Sequence, residues 1–252
     1  MGIGPGDAGH LAPRAREALA EANVLAGYRT YLKLLDRTLT EGKQLISTGM
    51  TDEIERCRLA IEAAGSGSRV AVVCSGDPGV YAMAGLIFEL LEASGLIGRL
   101  EVEIIPGIPA LSAAAALLGA PLMHDFACLS LSDLLTPWEL IERRIQAAAA
   151  GDFVVVIYNP RSKKRPWQLG KARELLLEQR SGKTPVGVVR NAARSDQSVI
   201  LTTLEDLDPE SVDMLCTIIV GNSQTRIIGE RHMVTPRGYL AKYGEGLPSS
   251  RS

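Results

Sequence analysis

The sequence has few cysteines, few aromatic residues and no long apolar run. Its four cysteines form no CxxC pair, so a zinc or iron–sulfur site has no local signature. Scattered, reduced cysteines are typical of cytoplasmic proteins, and we expect this location. The longest apolar runs, such as residues 153–158, have the length of a strand, whereas a bilayer span needs roughly 20 residues. We therefore predict neither a metal site nor contact with a membrane.

An excess of charge of one sign is also lacking. The chain has 27 Lys and Arg against 29 Asp and Glu, which gives a formal net charge of −2. A general affinity for nucleic acid needs a basic excess, so nucleic acid is not an expected partner. The apolar content of 46% is ordinary for a globular protein. Because aromatic residues make up only 4% of the chain, we expect a core of aliphatic side chains and alanine.

Strand-like and helical patterns alternate along the chain, which predicts an α/β fold with a mostly parallel sheet covered by helices on both faces. In the first half, apolar runs predict strands at residues 69–74 and 100–105. Helical spacing predicts helices at residues 14–25, 52–64, 80–93 and 109–118. A second series follows, with strands at 127–131, 152–158, 185–190, 198–203 and 217–220 and helices at 137–150 and 167–179.

The pattern restarts near residue 126, and this restart divides the chain. We predict two α/β domains, at residues 1–122 and 123–240. The last residues, GEGLPSSRS, are small and polar, a composition typical of a frayed terminus. We therefore predict a flexible tail at residues 241–252.

Three glycine-containing loops are candidates for ligand contact. The first, GIGPGD at residues 2–7, departs from the G-x-G-x-x-G fingerprint, so a phosphate cradle is disfavoured and a plain tight turn is an equal alternative. The second, CSGDPGVY at residues 74–81, and the third, PGIPA at residues 106–110, each follow a predicted strand. Ligands of open α/β sheets bind at such strand ends, which favours a cleft. Asp77 either caps the next helix or faces the ligand.

A fourth loop concentrates positive charge. Residues 161–165, RSKKR, follow another predicted strand. Two interpretations stand: a solvated basic loop, or a site for carboxylates or phosphates, which the arginine fork fits. Arg190 and Arg194 come after a further strand and are candidates for the same patch. The three histidines form no HxxxH or HExxH pattern, so they give no sign of a metal site.

Taken together, the loops resemble a known family, the tetrapyrrole (corrin/porphyrin) methylases. Longer segments are similar to the branch that methylates carbon 17 of a corrin precursor and contracts its ring; these are GAPLMHDF at 119–126, SLSDLLTPW at 130–138, YNPRS at 158–162 and IVGN at 219–222. The resemblance covers residues 2–239. Residues 27–31 and 48–57 look closer to the anaerobic route, and residues 75–80 and 165–170 to the aerobic one, so a cobalt-bearing and a metal-free substrate both stay open.

One departure from the family concerns the start of the sequence. Family members have a short strand ahead of the first glycine loop, and this sequence, which opens with Met1 and Gly2, lacks it. The departure affects the expected stability of the first domain more than its chemistry.

The resemblance implies two α/β domains with S-adenosylmethionine in the cleft between them, a tetrapyrrole substrate and a homodimer. It also assigns residues to roles. The implied cofactor-binding residues are Pro5, Asp77, Val80, Tyr81, Pro109, Ala110, Asn159, Asn191 and Leu215. The implied substrate-binding residues are Gly6, Arg161, Lys163 and Lys164, and the candidates for catalytic proton handling are Asp133 and His124.

The implied activity is methylation of carbon 17 of precorrin-3B or cobalt-factor III with ring contraction, in cobalamin biosynthesis. Transfer from a sulfonium needs alignment more than a general base, which agrees with a sequence that shows no readable catalytic dyad. Two alternatives stay open at this point. The first alternative is a methylase of the same fold that acts at another corrin carbon. The second is a non-catalytic nucleotide-binding module.

Overall fold

The structure, a computed structural model, describes residues 1–49 and 51–243. The chain divides into two compact units: unit 1 comprises Met1–Ala113 and Ala192–Ser195, and unit 2 comprises Ala114–Asn191 and the described part of Asp196–Ser252. Residues 241–243 of the predicted tail belong to a short helix, and its residues 244–252 lie outside the described residues. Within the described ranges, no helix is long and apolar enough to cross a membrane.

Helices and strands alternate, and the predicted α/β class is confirmed. The helices are α1 (Pro13–Glu21), α2 (Arg29–Leu32), α3 (Arg37–Thr40), α4 (Glu53–Gly65), α5 (Ala84–Ala93), α6 (Ala110–Leu118), α7 (Trp138–Ala150), α8 (Gln168–Leu177) and α9 (Tyr239–Tyr243). The strands are β1 (Val24–Tyr28), β2 (Gln44–Thr48), β3 (Val70–Val73), β4 (Gly119–Ala120), β5 (Phe126–Ser130), β6 (Val154–Tyr158), β7 (Pro185–Arg190), β8 (Ser198–Thr203), β9 (Cys216–Val220), β10 (Arg226–Ile228) and β11 (His232–Val234).

Unit 1 is built on a parallel sheet with the strand order β2-β1-β3. The central strand β1 is buried from Val24 to Gly27, as expected for a parallel strand covered on both faces. Helix α1 has Pro13 at its start, where the missing N–H of proline leaves no bond unmade. It buries Ala15 and Leu19, which lie on one helical face because they are four residues apart.

The first residues of the chain extend beside this sheet. The Ile3 amide donates to the Cys74 carbonyl at 2.9 Å, and the Gly2 amide donates to the Ile105 carbonyl at 2.9 Å. Gly2 and Ile3, which begin the first glycine loop, therefore lie as extended chain between Cys74, directly after β3, and Ile105. They take the position next to β3 for which the sequence analysis found no strand.

Some sequence predictions for unit 1 are wrong. The helix predicted at residues 14–25 ends at Glu21, and the strands β1 and β2 that follow it were missed. Residues 100–105 form no strand, and Ile104 in this segment is 43% exposed. The helix predicted from residue 80 begins at Ala84, because Tyr81 has a φ of 51°, a left-handed conformation that a right-handed helix cannot include.

Unit 2 holds a sheet with the strand order β5-β6-β9-β7-β8. Strands β5 and β6 are parallel, whereas β9 runs antiparallel to β6 and to β7, and β8 runs antiparallel to β7. This sheet is mixed, so the predicted mostly parallel arrangement applies to unit 1 alone. Aliphatic residues of the strands, α7 and α8 form its core, among them Ile145, Leu175 and Ile218. A smaller sheet has the order β10-β11-β4.

Candidate functional site

The carboxyl ends of β5, β6 and β7 meet at one edge of the larger sheet of unit 2. Strands β6 and β7 point the same way because each is antiparallel to the β9 between them. The amino end of β9 lies at the same edge, where the Asn191 amide donates to the Leu215 carbonyl at 3.1 Å. The structure thus places at one edge the three residues of this unit that the resemblance assigns to the cofactor, Asn159, Asn191 and Leu215.

Two asparagines end their strands in sharp, anchored turns. The φ angles of Asn159 and Asn191 are 51° and 47°, a left-handed conformation that asparagine tolerates better than most residues. The Asn159 side chain donates to Ser130 Oγ at 2.9 Å, and the Asn191 side chain donates to Asp196 Oδ2 at 2.7 Å. Each turn is therefore held in place at the edge where α/β sheets bind ligands.

Arg190 is not part of the basic patch. Its Nε lies 3.0 Å from Asp213 Oδ2, and its Nη1 lies 2.9 Å from Asp196 Oδ2. Burial acts to raise the pKa of Asp213, but hydrogen bonds from Arg190 and from the Leu215 amide outweigh it and hold that pKa below its usual value. The two ion pairs of Arg190 thus stabilise the turn at the end of β7.

The glycine loops of unit 1 pack backbone against backbone. A Cβ on Gly107 would lie 2.2 Å from the Gly76 carbonyl oxygen and 2.9 Å from Gly2 Cα. A Cβ on Gly2 would lie 2.3 Å from the same oxygen. The Gly76 amide also donates to the Gly4 carbonyl at 2.7 Å. These glycines therefore allow the loops to approach one another, and no phosphate is needed to explain them.

Asp77 connects the second and third glycine loops. Its Oδ1 accepts a hydrogen bond from the Gly79 amide at 2.8 Å, and its Oδ2 accepts one from the Gly107 amide at 3.1 Å. Asp77 is not a helix cap, since the next helix, α5, begins only at Ala84. The carboxylate of Asp77 thus fixes the relative position of the two loops.

The other cofactor-binding candidates of unit 1 belong to the same two loops. A Cβ on Gly76 would lie 3.5 Å from Pro109 Cα and 3.6 Å from the Ala110 nitrogen, so these two residues are neighbours of the Asp77 turn. Val80 and Tyr81 complete that turn, and Tyr81 is 54% exposed. The large ring of Tyr81 is thus exposed at this turn, on a residue with a left-handed backbone.

The basic loop at residues 161–165 holds two kinds of cation. Backbone hydrogen bonds between Ser162 and Arg165 close a tight turn, which places Lys163 and Lys164 at an exposed tip. Arg161, in contrast, forms an ion pair with Glu210. The lysines are therefore free to attract a substrate carboxylate by charge, whereas Arg161 would have to exchange one carboxylate for another.

Arg165 turns inward and is only 7% exposed. Its Nη1 donates to the Leu131 carbonyl at 3.1 Å and to the Asn159 carbonyl at 3.0 Å, and its Nη2 donates to Met214 Sδ at 3.1 Å. Burial lowers the pKa of this guanidinium, and the nearby charge of Asp133 opposes that effect. Arg165 thus joins the loops that follow β5 and β6, a role that the sequence analysis did not assign to it.

The two candidates for proton handling lie at opposite ends of β5. His124 precedes the strand and is exposed, and its Nδ1 accepts from the Asp125 amide at 2.9 Å. Asp133 follows the strand, and its Oδ2 accepts from Gln168 Nε2 at 2.9 Å. A strand of this length separates them by roughly 16 Å. Asp133 therefore lies with the strand-end residues, whereas His124 lies at the other end of β5.

Pro5 and Gly6 lie against Arg194, which the sequence analysis named only as a cation of the basic patch. The Arg194 Nε donates to the Pro5 carbonyl at 2.9 Å, across a separation of 189 residues in the chain. Arg194 belongs to unit 1, whereas the basic loop belongs to unit 2. No local pattern could have predicted this contact, because it depends on how the chain returns to unit 1 after β7.

Comparison with known proteins identifies the family of this chain. The family model of the tetrapyrrole (corrin/porphyrin) methylases matches residues 1–208. A probable cobalt-factor III C(17)-methyltransferase of Salmonella typhimurium is 52% identical over 95% of this chain and 98% of that protein. The cobalt-factor III methyltransferase of Priestia megaterium is 49% identical over 96% of this chain, which spans only 45% of that longer protein.

A solved structure is similar over nearly the whole chain. The crystal structure of the methyltransferase CobJ superposes with a TM-score of 0.89 at 42% identity, over 93% of this chain and 97% of that one. The family resemblance that the loops suggested is confirmed. The chain belongs to the tetrapyrrole (corrin/porphyrin) methylases.

Proposed function

We propose that the chain transfers a methyl group from S-adenosylmethionine to carbon 17 of precorrin-3B or cobalt-factor III and contracts the ring, in cobalamin biosynthesis. The observation that carries the proposal is the likeness to CobJ, at a TM-score of 0.89 over 93% of the chain. The identity of 52% to the Salmonella relative, over 98% of that protein, supports the assignment to carbon 17. A cytoplasmic location and a homodimer are part of the proposal.

Residues at the strand ends of each unit fit the cofactor. The left-handed turns at Asn159 and Asn191 lie at strand ends, where α/β sheets bind ligands, and the Asp77 carboxylate is suited to a ligand that carries positive charge. When bound, S-adenosylmethionine supplies a methyl group on a sulfonium. The contribution of this chain is to align the reacting groups and to exclude water. The cofactor cleft between two domains, which the resemblance implies, stays a prediction.

Asp133 is the residue that we assign to proton handling during ring contraction. Its Oδ2 is held by Gln168 Nε2 at 2.9 Å, and the Gln168 side chain is fixed in turn because that residue is only 1% exposed. Oδ1 is then the atom that accepts a proton and returns it. Gln168 acts as a positioning residue, since an acid–base group must lie within hydrogen-bond reach of its substrate atom.

The proposal is tested by incubating the purified chain with S-adenosylmethionine and, separately, with precorrin-3B and with cobalt-factor III. We expect one of the two to give a contracted ring with the new methyl group at carbon 17, located by NMR. Calorimetry with S-adenosylhomocysteine is expected to show one site per chain. A methyl group at another carbon would show that the chain is a methylase of the same fold with a different target carbon. Binding of NAD or ATP in place of S-adenosylhomocysteine would support a nucleotide-binding module.

Asp77→Ala is expected to weaken S-adenosylhomocysteine binding at least about tenfold, a factor worth about 1.4 kcal/mol. The substitution removes both acceptors that hold the Gly79 and Gly107 amides, and hydrogen bonds to a charged group contribute about 1.5–3 kcal/mol each. Asp77→Asn keeps one acceptor oxygen for these amides, so we expect an intermediate affinity. Calorimetry gives the affinity, and thermal unfolding gives the stability.

Asp36 offers a matched control for Asp77. It also accepts a hydrogen bond from a backbone amide, that of Thr38 at 2.9 Å, and it caps the short helix α3. Asp36→Ala should cost about 1 kcal/mol of stability and leave S-adenosylhomocysteine affinity unchanged. If Asp77→Ala behaves in the same way, Asp77 has a structural role only.

The ion pair between Arg161 and Glu210 gives a test of substrate binding. Arg161→Ala is expected to raise the tetrapyrrole KM about tenfold if the arginine binds a substrate carboxylate. Glu210→Gln removes the negative charge that Arg161 is paired with and leaves its bond to the Glu210 carbonyl, so it should lower the same KM by up to about fivefold, the upper value of an exposed ion pair. Affinity for S-adenosylhomocysteine should not change in either variant.

The control for Glu210 is Glu205→Gln, which releases Lys183 from a similar exposed pair. Lys183 precedes β7 and therefore lies at the amino end of that strand, away from the strand-end site. The KM of the control variant should equal that of the wild type. A Glu210→Gln variant with unchanged KM would leave Lys163 and Lys164 as the only substrate-binding cations of this loop.

A further inference from the structure

Arg194 connects two glycine loops through one guanidinium group. Its Nε donates to the Pro5 carbonyl at 2.9 Å, in the loop at residues 2–7. Its Nη2 donates to Ser75 Oγ at 3.1 Å, in the loop at residues 74–81. The planar guanidinium presents its donors in fixed directions, so two acceptors on separate loops are held at a fixed separation. The segment Ala192–Ser195 belongs to unit 1 although it joins β7 to β8, two strands of unit 2.

The position of Gly6 depends on the same arginine. A Cβ on Gly6 would lie 2.7 Å from Arg194 Cγ and 2.9 Å from Arg194 Nε. The φ of Gly6 is 151°, a value that residues with a side chain rarely adopt. Glycine is therefore required here for two reasons, the backbone conformation and the close approach of the arginine.

We propose that Arg194 is a positioning residue for methyl transfer, which holds the turn at residues 5–6 against Ser75 in a single conformation. This inference rests on the proposed function, which assigns Pro5 to the cofactor and Gly6 to the substrate. Arg194 acts through the turn, because its Nε and Nη2 donate to atoms of the chain itself.

The physical reason lies in the freedom of the turn. Glycine has the largest conformational freedom of any residue, and the main contribution of a protein to transfer from a sulfonium is alignment. A group that removes this freedom therefore acts on the rate as well as on stability. The side chain of Arg194 is half-buried, where a charge-assisted hydrogen bond is stronger than in water.

Arg194→Ala is the first test. We expect kcat for tetrapyrrole methylation to fall at least about tenfold, because the turn loses its fixed conformation. Arg194→Lys is expected to fall almost as far, since a lysine keeps the charge but cannot bridge both acceptors with a planar fork. A lysine variant with the kcat of the wild type would overturn the proposal, because charge alone would then be sufficient.

Arg173 is the matched control. Its Nε donates to the Leu204 carbonyl at 2.9 Å and its Nη2 to the Glu205 carbonyl, so it also joins two backbone acceptors. These acceptors follow the carboxyl end of β8, which is antiparallel to β7, and so they lie at the sheet edge away from Asn191. Arg173→Ala should lower the melting temperature and leave kcat unchanged. An equal loss of kcat in both variants would assign the effect of Arg194 to folding alone.

A double-mutant cycle with Gly6 gives the second test. Gly6→Ala in the wild type should displace Arg194 and lower kcat at least about tenfold. In the Arg194→Ala background, the Cγ and Nε atoms that the new Cβ would strike are gone. The further loss of kcat caused by Gly6→Ala should therefore be at least about fivefold smaller there. If the factors by which Gly6→Ala and Arg194→Ala lower kcat simply multiply in the double variant, the two residues act independently, contrary to the proposal.

Failure of the proposed function would be recognised separately. A wild-type chain that binds no S-adenosylhomocysteine and methylates neither precursor would contradict that function, whatever the variants do. The coupling between Gly6 and Arg194 would still be measurable from free energies of unfolding of the same four proteins. Wild-type methylation combined with uncoupled variants would overturn the role of Arg194 and leave the function intact.

Discussion

Gly107→Ala is expected to abolish S-adenosylhomocysteine binding and to lower the free energy of unfolding by at least about 3 kcal/mol. The new Cβ would lie 2.2 Å from the Gly76 oxygen and 2.9 Å from Gly2 Cα. Both neighbours are backbone, so no flexible side chain can move aside. The second and third glycine loops would have to separate, and the bond from the Gly107 amide to Asp77 would be lost.

The measurements are calorimetry and thermal unfolding. For a chain of this size, 3 kcal/mol corresponds to a fall in Tm of roughly 6–12 °C. Gly85→Ala is the matched control, because Gly85 lies in α5 and its Cβ would meet no neighbouring atom within 4 Å. That variant should be more stable by about 0.5–1 kcal/mol and bind as the wild type does. Normal binding by Gly107→Ala would show that the loops can adapt.

Arg165→Ala is expected to have the second large effect, a loss of about 3–5 kcal/mol of stability. Its guanidinium donates to the carbonyls of Leu131 and Asn159, and both would lose a charged donor in a region with little water. The loops after β5 and β6 would no longer be joined. We therefore also expect weaker binding of S-adenosylhomocysteine, which the Asn159 turn is proposed to contact.

Two further variants separate charge from volume at this position. Arg165→Met fills much of the space but supplies no donor, so it should remain destabilised by at least about 2 kcal/mol. Lys164→Ala removes a cation one residue away at the exposed tip of the loop, and a surface change of this kind should stay within about 0.5 kcal/mol of the wild type. An Arg165→Met variant as stable as the wild type would mean that the two carbonyls find water instead.

Signals that depend on local sequence predicted the fold well. Helix α4 was predicted at residues 52–64 and spans Glu53–Gly65, and β7 and β8 have the predicted bounds. Strand β1 was missed because its apolar residues continue the helical spacing of α1. The strand predicted at residues 100–105 failed because pairing depends on a neighbouring strand, which the alternation of side chains does not report.

The candidate site was predicted only in part, again because local sequence does not report contacts between residues that are far apart in the chain. The resemblance assigned Asn159 and Asn191 to the cofactor, and the structure has both directly after strands, at the carboxyl ends where α/β sheets bind ligands. Arg161, Lys163 and Arg165 look alike by charge, yet one is paired with Glu210, one is exposed and one is buried. Contacts such as Arg161 with Glu210 and Arg165 with Leu131 separate these roles, and they join residues 49 and 34 positions apart in the sequence.

The return of the chain to unit 1 at Ala192–Ser195 has a consequence for synthesis on the ribosome. Residues 1–113 emerge first, but Arg194 emerges only after 81 further residues have been added. At about 5–20 residues per second, this interval is roughly 4–16 s. During that time the nascent glycine loops lack the bonds to Pro5 and Ser75. The amino-terminal half thus reaches its final form only when three quarters of the chain has been translated.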